Sequence, residues 1–220
     1  MEETSSAPSP TVWSSAPAGA GDSDVPRDLR DWIARAEKIG QVKHVTQTVD
    51  HDEEMGAITY MAHQQIGAAA PLFENITGCP PGFRSLWNII GSSVDRFALA
   101  IGEPPGLSVM ELIQRCRSKL TRTLPPVMIE ADAAPVNTHH RYGDDVDVTI
   151  FPAARHWPGD GGRYIGTADA IITRDPEAGW LNVGCYRQMV LCPVCSASSP
   201  SRTSRSCARR CRRPSFPGLP

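Results

Sequence analysis

One change of texture constrains this chain more than any other feature. Up to about residue 122, segments with helical periodicity alternate with short strand-like runs. Beyond Pro125-Pro126 only strand-like runs remain. A chain of 220 residues holds one or two domains, and the change predicts two: an α/β layer over 26–122 and a mostly antiparallel β-region over 123–190. The expected fold class is therefore α+β.

The first part is specific in detail. Leu29, Trp32, Ile33, Ala36 and Ile39 recur at helical spacing and stop at Gly40. Val42 to Val49 reads as a strand. Met55, Ile58, Ala62 and Ile66 mark a second helix ending at Gly67, and Pro71-Leu72-Phe73 and Leu86 to Ile90 read as short buried strands. Val94, Phe97, Ala98 and Ile101 mark a third helix closed by Gly102. Ser108 and Glu111 have capping-box spacing before a fourth helix carrying Val109, Leu112, Ile113, Cys116 and Leu120. In the second part, Val127 to Glu130, Val146 to Phe151, Tyr164 to Thr173 and Trp180 to Val190 read as strands. The last two flank Asp175-Pro176-Glu177-Ala178-Gly179, a turn-forming cluster of hairpin length. These strands are too few to close a barrel.

Composition narrows the function classes. A hydrophobic content of 40% and a charged content of 21% suit a globular protein in water. A formal charge of -2 provides no global basic face for nucleic acid. No apolar run reaches the roughly 20 residues that span a bilayer. The start, Met1-Glu2-Glu3, has neither the basic nor the apolar part of a secretory signal, so a cytoplasmic location is expected. Residues 1–25, rich in Ser, Ala, Pro and Gly, read as a disordered leader. Residues 191–220 contain six arginines, no acid and no hydrophobic periodicity, and read as a disordered basic tail, either the product of a shifted or misassembled gene end or an evolved tail.

Several stretches, taken in order, resemble the UbiD family of decarboxylases, and in particular its branch acting on cinnamic-type acids. They are Pro71-Leu72-Phe73-Glu74-Asn75, Gly143-Asp144-Asp145-Val146-Asp147 with Pro152 after it, and Asp160-Gly161-Gly162-Arg163-Tyr164-Ile165-Gly166-Thr167. The most specific is Thr173-Arg174-Asp175-Pro176 leading into Asn182-Val183-Gly184-Cys185-Tyr186-Arg187. The resemblance covers about 28–190. It implies an N-terminal α/β domain followed by a split β-barrel that holds the flavin, of which this chain carries an incomplete copy. It also implies reversible, non-oxidative decarboxylation of aromatic or α,β-unsaturated acids with prenylated FMN. The phosphate of that cofactor is anchored by Mn²⁺ or Mg²⁺ with K⁺ nearby. Implied partners are a small carboxylic acid, a flavin prenyltransferase that supplies the cofactor, and further copies in a homo-oligomer.

Site residues carry over position by position. Asn182 matches the metal-ligating asparagine, whose amide oxygen is a hard neutral donor. Arg187 matches the catalytic arginine, and a guanidinium can hold a carboxylate through two parallel hydrogen bonds. Thr167 matches a cofactor-contacting threonine, and Val183, Gly184, Cys185 and Tyr186 match flavin-contacting positions. A hairpin folded about Glu177 places Thr167 roughly opposite Arg187. Asn182 and Arg187 are five apart, so a regular strand points them to opposite faces. A shared site requires a bulge between them, expected at Gly184.

The resemblance also implies a histidine and glutamates beyond Arg187. The sequence has no His after His156 and no acid after Glu177. Little activity is therefore expected of this sequence alone, because Arg187 is too weak an acid to deliver a proton unaided. Two other readings stand beside the enzyme. One is a non-catalytic module that pairs with a full-length relative. The other is a zinc- and nucleic-acid-binding tail using Cys192, Cys195, Cys207 and Cys211. His139, His140, Asp144, Asp145 and Asp147 read as a solvated loop, and His63 as a partly buried polar residue.

Overall fold

A computed structural model describes residues 25–121 and 127–193, with the backbone of 195–197. The expected leader, and the tail beyond residue 197, lie outside the described residues. The order is α1 (Leu29–Lys38), β1 (Val42–Val49), α2 (Glu54–His63), β2 (Ala70–Ile76), β3 (Ser85–Leu86), α3 (Val94–Ala100), α4 (Val109–Leu120), β4 (Tyr164–Arg174), β5 (Leu181–Cys192) and β6 (Cys195–Ala197). The mixture is α+β.

α1 starts where the Asp28 carboxylate accepts from the Asp31 N–H, and ends before Gly40, whose φ of 70° an L-side chain rarely adopts. It buries Trp32 and Ala36. β1 and β2 pair in parallel with α2 as the crossover, and β3 adds antiparallel to β2. The reciprocal capping box of Ser108 and Glu111 opens α4.

Several boundaries depart from the sequence reading. α2 ends at His63, and Ile66, counted in its period, is 96% exposed. The strand expected over Leu86 to Ile90 stops at Leu86, and two residues on Asn88 adopts a φ of 52°, which no strand accommodates. Val127 to Glu130 is exposed irregular chain. Val146 to Phe151 is no strand either: the Asp147 carboxylate accepts from the N–H and hydroxyl of Thr149 and turns the chain into a short 3-10 helix, Val148–Ile150. β5 runs on to Cys192 and β6 pairs back on it, so regular structure continues past residue 190.

The main core contains Val49, Met55, Phe73, Ile76 and Ala154, with Val45, Ile58, Cys79 and Trp87 packed against it. Ala154 comes from the second half of the chain, and its neighbours explain how it gets there. Arg155 bridges to Asp52 in parallel fashion while Ala154 bridges to Tyr164 at the start of β4. The Arg155 guanidinium lies 2.6 Å from the Asp52 carboxylate and 2.7 Å from that of Glu53. This seam fixes the β4–β5 hairpin against the entry to α2.

Candidate functional site

The hairpin is built from its turn outward. Asp175 accepts through Oδ1 from the N–H groups of Glu177 and Ala178, and Gly179 takes a φ of 73°. From there β4 and β5 pair without interruption, from Arg174 opposite Leu181 to Asp169 opposite Tyr186. The expected bulge at Gly184 is therefore absent. The register breaks lie on β4 instead, where Gly166 pairs with Gln188 and both Thr167 and Ala168 oppose Arg187.

Residues directly opposite one another share a face of the sheet. Asn182, Gly184 and Tyr186 thus share one face with Thr173, Ile171 and Asp169, whereas Val183, Cys185 and Arg187 occupy the other. The Tyr186 ring lies over Gly184, in the space a Cβ there would fill, so the bare Gly184 carries an aromatic ring rather than a bulge. In the same way the Asp169 carboxylate fills the space above Gly166, and its Oδ2 is buried without a hydrogen-bond partner. Asn182 and Arg187 are not on one face, and they are separated by about 17 Å of extended strand at 3.3–3.4 Å per residue.

The bulge turns Thr167 into a cleft of about 230 Å³ between the hairpin and the N-terminal layer. Tyr60 and Trp157 meet edge to face at 5.3 Å on one side of it, and Trp87 and His156 lie 4.4 Å apart with their rings tilted at 42° on another. His63 Nδ1 lies 2.9 Å from Asn88 Nδ2, and the Thr59 hydroxyl is buried without a partner. His63 is exposed, more open than the sequence implied. Arg187 is exposed and makes no hydrogen bond or ion pair among the described residues. Its charge nevertheless reaches His156.

Burial, first of all, pushes the His156 imidazole below the ordinary histidine range; Asp160 opposes this and Arg187 adds to it. A depressed value means that the unfolded chain binds the proton more tightly. The stability due to neutral His156 is complete above about pH 6.5 and is lost as pH falls below it. The thermal midpoint should accordingly fall between pH 7 and pH 5, and the fall should be smaller in His156→Asn. Equal slopes for both proteins would remove His156 from the account.

His139, His140, Asp144 and Asp145 are exposed, and no grouping of three or more His, Cys, Asp or Glu able to hold a metal occurs among the described residues. Nor is any described helix long and apolar enough to cross a membrane. Cys192 is disulfide-bonded, which removes a thiolate from the four-cysteine zinc reading. The remaining tail cysteines, Cys195 as a side chain, Cys207 and Cys211, lie outside the described residues. His156, Trp87, Trp157, Asn88 and Asp169 were not selected from sequence; only the seam brings the first four together.

Comparison with known proteins agrees with this architecture. Residues 33–116 match the family model of the 3-octaprenyl-4-hydroxybenzoate carboxy-lyase N-terminal domain, and residues 127–200 match that of the carboxy-lyase Rift-related domain. The chain belongs to the UbiD family of carboxy-lyases. It is 30% identical over 180 residues to ferulic acid decarboxylase 1 of Candida dubliniensis, covering 74% of this chain and 34% of that protein. It is 31% identical over 170 residues to pyrrole-2-carboxylic acid decarboxylase of Pseudomonas aeruginosa, again covering 74% and 34%. Among solved structures, vanillic acid decarboxylase of Sedimentibacter hydroxybenzoicus in its closed form superposes with a TM-score of 0.70 at 28% identity, covering 77% of this chain and 36% of that one. The UbiD-class enzyme HmfF of Pelotomaculum thermopropionicum, in complex with prFMN, gives 0.62 at 29%, covering 75% and 36%. The chain spans about a third of the length of the curated relatives it matches. The family match runs to residue 200, beyond the last residue, Val190, to which the resemblance extended from sequence.

Proposed function

We propose that this chain is the N-terminal part of a decarboxylase for aromatic or α,β-unsaturated carboxylic acids that uses prenylated FMN. The observation that carries the proposal is the unpaired Arg187 opposite Thr167, beside an aromatic-walled cleft. A guanidinium without a protein partner is free to take a carboxylate through two hydrogen bonds. The cleft is smaller than a flavin requires, so β4–β5 supplies one wall of the cofactor site and the start of a split barrel. Thr167 and the backbone of Val183 to Tyr186 contact the cofactor on this reading. When bound, the prenylated flavin takes up the electrons left by departing carbon dioxide. Asn182 lies on the other face from Arg187 and about 17 Å along the strand, so the metal site and the carboxylate site are separate on this reading: Asn182 offers one oxygen to Mn²⁺ or Mg²⁺ where the phosphate is held, with K⁺ nearby and the other ligands supplied from outside this sequence. A flavin prenyltransferase supplies the cofactor, and the intact enzyme works in the cytoplasm as a homo-oligomer.

This sequence has no aspartate or glutamate after Glu177 to relay a proton. Flavin-loaded preparations of this chain should therefore turn over neither cinnamic nor hydroxybenzoic acid. Turnover by the chain alone would overturn the division of labour proposed here.

One observation favours the reading of a module that pairs with a relative. The Arg187 face of the hairpin exposes Ile172 at 67% and Val183 at 65%, an apolar surface that another polypeptide can cover. Co-expression with a full-length relative followed by co-purification and a flavin spectrum tests it. A flavin-free relative that leaves this chain behind rejects it.

A further inference from the structure

His156 has no role in the reading above, yet its surroundings are those of a binding group. The ring is half-buried and lies 4.4 Å from the Trp87 ring at a tilt of 42°, and makes no hydrogen bond among the described residues. Its backbone is held by two features that leave the imidazole free. Its N–H donates to the Asp160 carboxylate at 3.1 Å, and the neighbouring Arg155 is clamped between Asp52 and Glu53. The ring shares the cleft with Thr167, which the β4 bulge places against Arg187. The groups around it are His63 and Tyr60 from α2, Asp160 and Arg155 from its own loop, and Tyr164 and Arg187 from the hairpin. Asp160 is already engaged by two backbone N–H groups, those of His156 and Trp157. None of the described side chains supplies the imidazole with a hydrogen-bonded anion.

We propose that His156 is a carboxylate-positioning residue, which takes a proton from solvent when a small aromatic acid enters the cleft and holds the acid jointly with Arg187. The cleft, at about 230 Å³, lies below the roughly 300–1,000 Å³ of pockets that take drug-sized ligands. It therefore suits a single ring walled by Trp87, Trp157 and Tyr60. The balance is simple: neutral imidazole, a proton and a carboxylate become an imidazolium–carboxylate pair, and no covalent bond changes. An arriving carboxylate reverses the balance of charges at His156, because it offsets Arg187 and favours the protonated ring. Binding and proton uptake are then linked, and the acid binds more tightly as pH falls.

The assignment rests on the proposed function only for the choice of acid, so its test uses the flavin-free chain. Benzoate and cinnamate are titrated at pH 6 and pH 8 with tryptophan fluorescence as the readout and cinnamyl alcohol as the uncharged control. Calorimetry in two buffers of different ionisation enthalpy counts the protons taken up. Severalfold tighter binding at pH 6 than at pH 8 is expected, since the protonated ring is the form that holds the acid. The alcohol should show no such dependence, His156→Gln should abolish it, and His63→Gln should retain it. If His156→Gln fails to fold, His156→Asn serves instead, and calorimetric proton uptake on binding should be absent from it. Affinity independent of pH, a dependence that survives in His156→Gln, or no binding of either acid in the millimolar range overturns the proposal. Failure of flavin loading, by contrast, bears only on the decarboxylase reading.

Discussion

Replacing Gly56 by alanine is expected to destabilise the protein by about 1–3 kcal/mol, the usual cost of forcing an extra carbon into a packed site. That corresponds to a fall in thermal midpoint of roughly 3–10 °C for a chain of this size. The sign is the informative part. Within a helix, glycine to alanine ordinarily stabilises by about 1 kcal/mol, and Gly56 lies in the first turns of α2. Here a Cβ would sit 2.5 Å from the His156 carbonyl oxygen and 3.2 Å from its carbonyl carbon and Cα. Those are backbone atoms, and the backbone cannot retreat. The Arg155 N–H donates to His51 O at 3.1 Å, the Glu53 N–H donates to Arg155 O at 2.8 Å, and Asp160 holds the His156 N–H. Thermal unfolding followed by circular dichroism measures the effect. Because Trp87 and Trp157 flank the seam, tryptophan emission should shift in the folded variant as well. A midpoint equal to or above that of the unsubstituted protein would mean that α2 and the His156 segment do not meet as described.

That seam also separates what the sequence makes legible from what it does not. α1, β1, α3 and α4 could be read closely because their signals are local: the Asp28 cap, Gly40, the Ser108–Glu111 box. Thr167 could be placed near Arg187 because the length of the turn at 175–179 sets the hairpin register. β-propensity misled over Val127 to Glu130 and Val146 to Phe151, where apolar and β-branched residues exist but no described strand pairs with them in a ladder. Gly184 misled for a related reason. A glycine in a strand signals either a kink or a close approach, and only the structure shows that the Tyr186 ring takes the space. The actual bulge at Thr167-Ala168 carries no composition signal. It is marked only by Gly166 and Asp169, three apart, whose side-chain spaces coincide. The cleft could not be read at all, since Tyr60, Trp87 and His156 are far apart in sequence and meet only because Ala154 joins the N-terminal core.

Arg96→Met should cost more than any surface change, about 3 kcal/mol, the order expected when several acceptors lose their donor at once. Arg96 is fully buried, on α3, and no carboxylate among the described residues pairs with it. Its Nε donates to the carbonyls of Ile89 at 2.9 Å and Ile90 at 3.3 Å, and its Nη1 donates to Gln41 Oε1 and Ala68 O, both at 2.7 Å. One guanidinium thereby joins the residues entering β1 and β2 to the loop that leads into α3. Burial alone lowers its pKa from the ordinary arginine value. The desolvation cost of the charge is thus real, and removing the charge recovers it. Against that recovery, methionine deprives the carbonyls of Ile89 and Ala68 of their donor at a part-buried position, at about 1 kcal/mol or more each. The loop has little freedom to supply substitutes. Asn88 is already in the left-handed region, and a Cβ on Gly91 would lie 2.7 Å from both Nη2 of Arg96 and the Asn88 side chain. Arg96→Lys should recover only part of the loss, because a single ammonium cannot reach three directions with fixed geometry. Urea unfolding of the three proteins decides between the two opposing terms. If Arg96→Met loses less than about 1 kcal/mol, recovered desolvation dominates and the guanidinium is not what holds the N-terminal layer together.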